Sequence, residues 1–144
     1  MMEQIKIMYH NKNMGKIESI DVGDWIDLRA AETISMSAGD FRLISLGIAM
    51  KLPEGYEAHM APRSSTFKKW GILQANSIGV IDNSYSGTND IWKFPALAMR
   101  DTTIYEGDRI CQFRIVKRQP EVEFIEAEEL DAVDRQGFGS TGTR

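Results

Sequence analysis

A single cysteine, Cys111, stands in this sequence. One thiol cannot close an internal disulfide, and no Cys/His cluster has zinc spacing. No run approaches the roughly 18 uninterrupted apolar residues that a membrane span requires. The opening Met1-Met2-Glu3-Gln4-Ile5-Lys6 lacks the apolar core of a signal peptide. Basic charge is scarce too: 17 Lys and Arg stand against 21 Asp and Glu, for a net charge of −4. The cations are scattered, adjacent only at Lys68-Lys69 and Lys117-Arg118, whereas a protein that tracks a phosphate backbone carries a basic face or stripe. Neither a G-x-x-x-x-G-K-[ST] phosphate loop nor an H-E-x-x-H metal motif occurs. These absences predict a cytoplasmic chain with no nucleic-acid and no membrane partner. An acidic chain can still hold a polyphosphate, but only through arginines, backbone N–H groups and a divalent cation.

What is present fits one domain: 144 residues, 42% of them apolar and 26% charged. The dominant pattern is period two. Ile5-Lys6-Ile7, Leu46 to Leu52, and Cys111, Phe113 and Ile115 against Gln112 and Arg114 all alternate, and Val122-Glu123-Phe124-Ile125 reads as a further short strand. Turn residues recur at Gly39-Asp40, Pro53-Glu54-Gly55, Ser86-Gly87 and Glu106-Gly107-Asp108. Many short strands at this spacing predict an all-β sandwich or barrel. Helix is expected over Ser65 to Trp70 and, from its helix formers, over Glu126 to Val133. The last ten residues, Arg135 to Arg144, hold nothing that can build core.

Five segments carry the side chains of interest. They are Asp27-Leu28-Arg29-Ala30, Pro62-Arg63-Ser64-Ser65, the stretch from Gly79-Val80-Ile81-Asp82 to Tyr85-Ser86-Gly87, Gly107-Asp108-Arg109-Ile110-Cys111-Gln112-Phe113, and Gly137-Phe138-Gly139-Ser140-Thr141-Gly142. Read alone, Pro62 to Ser65 is a strand end followed by hydroxyls that start a short helix, either an anion site or a plain serine cap. Gln74 to Gly87 reads as a hairpin around Ser77-Ile78-Gly79. Asp82 follows an apolar triplet at the end of a buried strand, and an aspartate there also commonly starts a turn. Gln112 is polar in an apolar strand. The tail fits G-x-G-x-x-G, but with only Thr143 and Arg144 after it no helix follows, so the dinucleotide reading fails.

In order and content these segments resemble the five motifs of the trimeric dUTPase family, over nearly the whole chain from Asp27 to Gly142. Each tetrapeptide is weak evidence alone; the ordered set is specific. The resemblance implies a distorted jelly-roll or β-barrel subunit with one short helix, forming a homotrimer. Residues 1–144 would be one domain, 1–130 the barrel core and 131–144 an arm that closes over a neighbouring subunit's site. It implies hydrolysis of dUTP to dUMP and pyrophosphate, with Mg2+ bound mainly through the substrate triphosphate and no dedicated side-chain cage. Asp82 would be the general base for a water attacking the α-phosphorus.

Other roles follow residue by residue from the same resemblance. Ser64 and Ser65 would hold the α/β-phosphate region, and Arg63 would order it. Asn76 and the backbone of Gly79, Val80 and Ile81 would read uracil. Tyr85 would pack under the deoxyribose and leave no space for a 2′-hydroxyl, Gln112 would lie near the phosphates, and Asp27 and Arg109 would be structural partners. In the arm, Phe138 would stack over uracil while Gly139, Ser140 and Thr141 wrap the phosphates. The family's arginine stands five residues before that phenylalanine; here Val133 has its place and Arg135 stands three before Phe138, as a two-residue deletion would leave it. Trp92 and Phe94 are rival lid aromatics, or ordinary core. Two rival functions share the pattern: a dCTP deaminase of the same fold, and a dUTP-binding regulator acting through a protein partner.

Overall fold

The computed structural model describes residues 2–18 and 23–136. Short alternating segments become short strands: β1 (Lys6–Tyr9), β2 (Ile26–Arg29), β3 (Ile34–Met36), β4 (Phe41–Ser45), β5 (Ile48–Lys51) and β6 (Tyr56–Pro62). After the helix α1 (Thr66–Trp70) come β7 (Ile72–Gln74), β8 (Gly79–Ile81), β9 (Lys93–Ala98), β10 (Thr102–Ile104) and β11 (Arg109–Lys117). All pairings are antiparallel. A four-stranded sheet runs β2-β11-β6-β8 and a three-stranded sheet β4-β9-β7, with two-stranded ribbons β1-β5 and β10-β3. Every second side chain turns inward, so that Leu28, Ile44, Ile48, Phe94, Ile110 and Phe113 meet in one core. Trp92 meets Phe113 edge-on, with centroids 5.2 Å apart. The architecture is the all-β distorted jelly roll with one short helix.

The helix starts one residue later than expected and stops at Gly71, whose φ of 65° makes it a left-handed cap donating to Phe67 O at 2.7 Å. Ser65 makes no side-chain cap bond. The hydroxyl that organises this corner belongs to Thr66: it accepts from Arg63 N at 2.8 Å and donates to Ile110 O at 2.9 Å.

Three expectations are corrected. Val122 to Ile125 forms no strand, and Phe124 is 95% exposed. Glu126 to Val133 forms no helix, with Leu130 and Val133 exposed. Neither segment has a surface to bury its apolar side chains against, and helices of this length are marginal without one. Finally, β7 and β8 do not pair as a hairpin. β7 pairs with β9 and β8 with β6, so the turn between them crosses from one sheet to the other.

Candidate functional site

That crossing opens a cleft of about 630 Å3 between the two sheets. Asn76, Gly79, Val80, Ile81, Asp82 and Tyr85 all line it, together with Phe41, Leu43, Ile91 and Lys93. The structure thus gathers most of the third motif, Gly79 to Asp82 with Ser84 and Tyr85, in one place. β8 is an edge strand, so Val80 is 61% exposed and Asp82 is exposed rather than at the end of a buried strand. The edge position corrects the reading taken from the apolar triplet.

Asp82 is held by Ser84: its Oδ2 accepts from Ser84 N at 2.8 Å and from the Ser84 hydroxyl. The Ser84 hydroxyl bond, then the backbone bond, hold the Asp82 carboxyl below its ordinary value, with Arg118 assisting. The carboxylate is therefore ionised and oriented at neutral pH, with Oδ1 uncommitted among the described residues. Asp82 starts a turn and also lines the cleft. Asn83 anchors the loop by donating to Pro53 O at 2.8 Å and Tyr56 O at 2.9 Å. Tyr85 donates its hydroxyl to Ile91 O at 3.0 Å, which fixes the ring as a wall.

A second cluster sits at the other end of β6. Arg63 pairs through Nε with Asp27 Oδ1 at 3.1 Å and donates through Nη1 to Arg109 O at 3.1 Å. Arg109 Nη1 lies 3.6 Å from Asp27 Oδ2, so Asp27 and Arg109 are structural partners here. Gln112 lies opposite Asp27 and Ala61 in the sheet and donates to Pro62 O at 3.0 Å. Ser64 is exposed and Ser65 half-buried, both with hydroxyls uncommitted among the described residues. Cys111 is buried beside this cluster, and burial pushes its thiol far up, so it is inert.

The register separates the two clusters. Ile81 lies opposite Ala58, with Asp82 beyond it; Pro62 ends the strand, with Arg63 beyond it. Ala58 to Pro62 is about 13 Å of strand at the usual rise, and the two functional residues lie outside its ends. Trp92 and Phe94, the rival lid aromatics, are fully buried; they are core. Arg135 is exposed in the segment after β11. Phe138, Gly139, Ser140 and Thr141 lie outside the described residues.

Several contributors were not evident beforehand. Phe41 and Leu43 alternate on β4, a signal visible in sequence, but nothing local says which sheet they face. Gln74, Thr66 and Lys93 carry no local signal at all.

Residues 21–142 match the dUTPase family model. The chain is 57% identical over 141 residues to the SPbeta prophage-derived deoxyuridine 5'-triphosphate nucleotidohydrolase YosS of Bacillus subtilis (strain 168), covering 98% of this chain and 99% of that one. It is 38% identical to the deoxyuridine 5'-triphosphate nucleotidohydrolase of Finegoldia magna, covering 96% and 99%. In fold it resembles the Staphylococcus bacteriophage 80alpha dUTPase solved with dUPNHPP, at TM-score 0.80 and 21% identity over 96% of this chain and 98% of that one. The Streptococcus mutans dUTPase matches at TM-score 0.72 and 23% identity, over 83% and 98%. With most of its third motif gathered in one cleft, this chain belongs to the dUTPase family.

Proposed function

We propose that the chain hydrolyses dUTP to dUMP and pyrophosphate, with the base in the cleft of Asn76, Gly79, Val80 and Ile81 and with Asp82 as general base. The observation that carries this reading is the oriented, ionised Asp82 at the rim of that cleft. With Ser84 holding one carboxylate oxygen, the other is left to take a proton from a water that attacks the α-phosphorus in line as pyrophosphate departs. A depressed proton affinity favours orientation over proton transfer; the incoming triphosphate, a like charge, raises it toward the working range. Tyr85, tied to Ile91 O, forms the wall that a 2′-hydroxyl would strike.

Asp82 and the cluster of Arg63, Ser64 and Ser65 lie toward opposite ends of β6. The reading takes the second cluster from a neighbouring chain of a homotrimer, where its hydroxyls and Arg63 stabilise phosphate charge. Residues 131–144 act as the arm that closes the site, with Arg135, Gly139, Ser140 and Thr141 at the phosphates and Phe138 as the lid. Bound Mg2+ supplies neutralisation of triphosphate charge. The donor set fits a cation that arrives with the nucleotide, because no three His, Cys, Asp or Glu side chains are grouped among the described residues. No helix among those residues is long and apolar enough to cross a membrane.

Pyrophosphate release tests the reading. Purified protein with Mg2+ should cleave dUTP and leave dCTP, dTTP and UTP largely intact. Ammonia release from dCTP would point to a deaminase instead, and tight dUTP binding without cleavage to a regulator.

A further inference from the structure

Beneath the cleft lies a buried amide that none of the motifs contains. Gln74 ends β7 and is 7% exposed. Its Nε2 donates to Met60 O at 3.1 Å and to Asn76 Oδ1 at 2.9 Å. A backbone carbonyl can only accept, so the Gln74 atom that faces Met60 must be nitrogen. That same nitrogen faces Asn76, whose facing atom must then be oxygen. One carbonyl on β6 thus orients two amides in series, and Asn76 keeps its Nδ2 donors uncommitted among the described residues while lining the cleft.

The arrangement carries a cost that packing alone would not select. Gln74 Oε1 is buried with no hydrogen-bond partner, and a buried acceptor left unpaired is unfavourable. An apolar side chain of the same length would avoid it. What the amide adds is the directed bond to Asn76. It also packs against the backbone of Gly79 in the cleft wall, since a Cβ placed on Gly79 would stand 3.3 Å from Gln74 Nε2.

We propose that Gln74 is a positioning residue that locks Asn76 as a donor toward the cleft, and that this lock sets the preference for uracil over cytosine. The proposal rests on the uracil reading above. Uracil presents a carbonyl to such a donor; cytosine presents an amino group there, setting donor against donor. With Gln74 in place, Asn76 cannot turn its oxygen outward to accept from that amino group without placing its own NH2 against the Gln74 NH2.

The test is a double-mutant cycle on the full-length protein, reading kcat/KM for dUTP and for dCTP together with the thermal midpoint. Gln74→Met keeps length and removes the amide. It should lower kcat/KM for dUTP about tenfold, mainly through KM, and lower the dUTP-to-dCTP ratio by about tenfold. In an Asn76→Ala background, Gln74→Met should move that ratio by less than about twofold, because its route has been removed. Equal losses on both nucleotides with an unchanged ratio would overturn the proposal, as would a full ratio change in the Asn76→Ala background. Where Gln74→Met does not fold, Gln74→Glu, which keeps the shape and loses the amide donor, is read by the same ratio. Wild-type protein inert toward dUTP would overturn the function itself; active wild type with an unaltered ratio in Gln74→Met overturns only the role of Gln74.

Discussion

At the scale of single residues, Asp82 and Ser84 act as a pair. Asp82→Asn keeps the turn's shape but removes the proton acceptor, and steady-state kinetics should record a fall in kcat of about 10²–10⁴-fold with KM for dUTP little changed. An unaltered kcat would remove Asp82 from the chemistry. Because Ser84 holds the carboxyl of the free protein below its ordinary value, the acid limb of kcat/KM, which reports the free enzyme, should lie below the usual carboxylate range. Ser84→Ala removes the largest cause of the depression, so the acid limb of kcat/KM should move to higher pH. A limb that stays put would assign it to another group. That Asp82, Tyr85 and Asn76 line one cleft was legible in the sequence, because Asp82 and Tyr85 share a contiguous motif and Asn76 stands three residues before it. Thr66 and Gln74 were not, because their meaning lies in distant partners: Thr66 bonds Ile110, and Gln74 bonds Met60.

At the scale of elements, α1 is held by tertiary contacts more than by its own five residues. Its buried residue is Thr66, whose hydroxyl ties the end of β6 to the start of β11. Thr66→Val conserves shape but strands Arg63 N and Ile110 O, and should cost about 1–3 kcal/mol in urea unfolding. Unchanged stability would mean that these groups find other partners. The same substitution should weaken activity, since Arg63, Ser64 and Ser65 hang from that corner. Period two located the strands that pair on both sides, such as β11, because burial enforces alternation there. It failed at Val122 to Ile125, where the same alternation has no sheet to join. It also could not reveal that β7 and β8 belong to different sheets, which is what opens the cleft. Helix formers at Glu126 to Val133 misled for a related reason: propensity is weak without a buried face.

At the scale of the whole molecule, the two clusters lie at opposite ends of β6, and under the proposed function each is half of a site. An all-β sandwich or barrel was legible from strand spacing and turn residues, and the jelly roll from the family resemblance, but the separation was not, because it depends on the register of β8 against β6. The exposed Phe41 and Leu43 beside the cleft show how much apolar surface one isolated chain leaves uncovered. The central claim is that Asp82 of one chain and Ser64 of another serve the same nucleotide. It is tested most directly by refolding Asp82→Asn and Ser64→Ala chains together and measuring dUTP cleavage per site against wild type. Each variant alone should be nearly inactive, and an equal mixture should recover activity at about a quarter of its sites, the fraction that random assembly gives two intact halves. Mixed assemblies that form and stay at the level of the separate variants would place both halves within one chain and contradict the account.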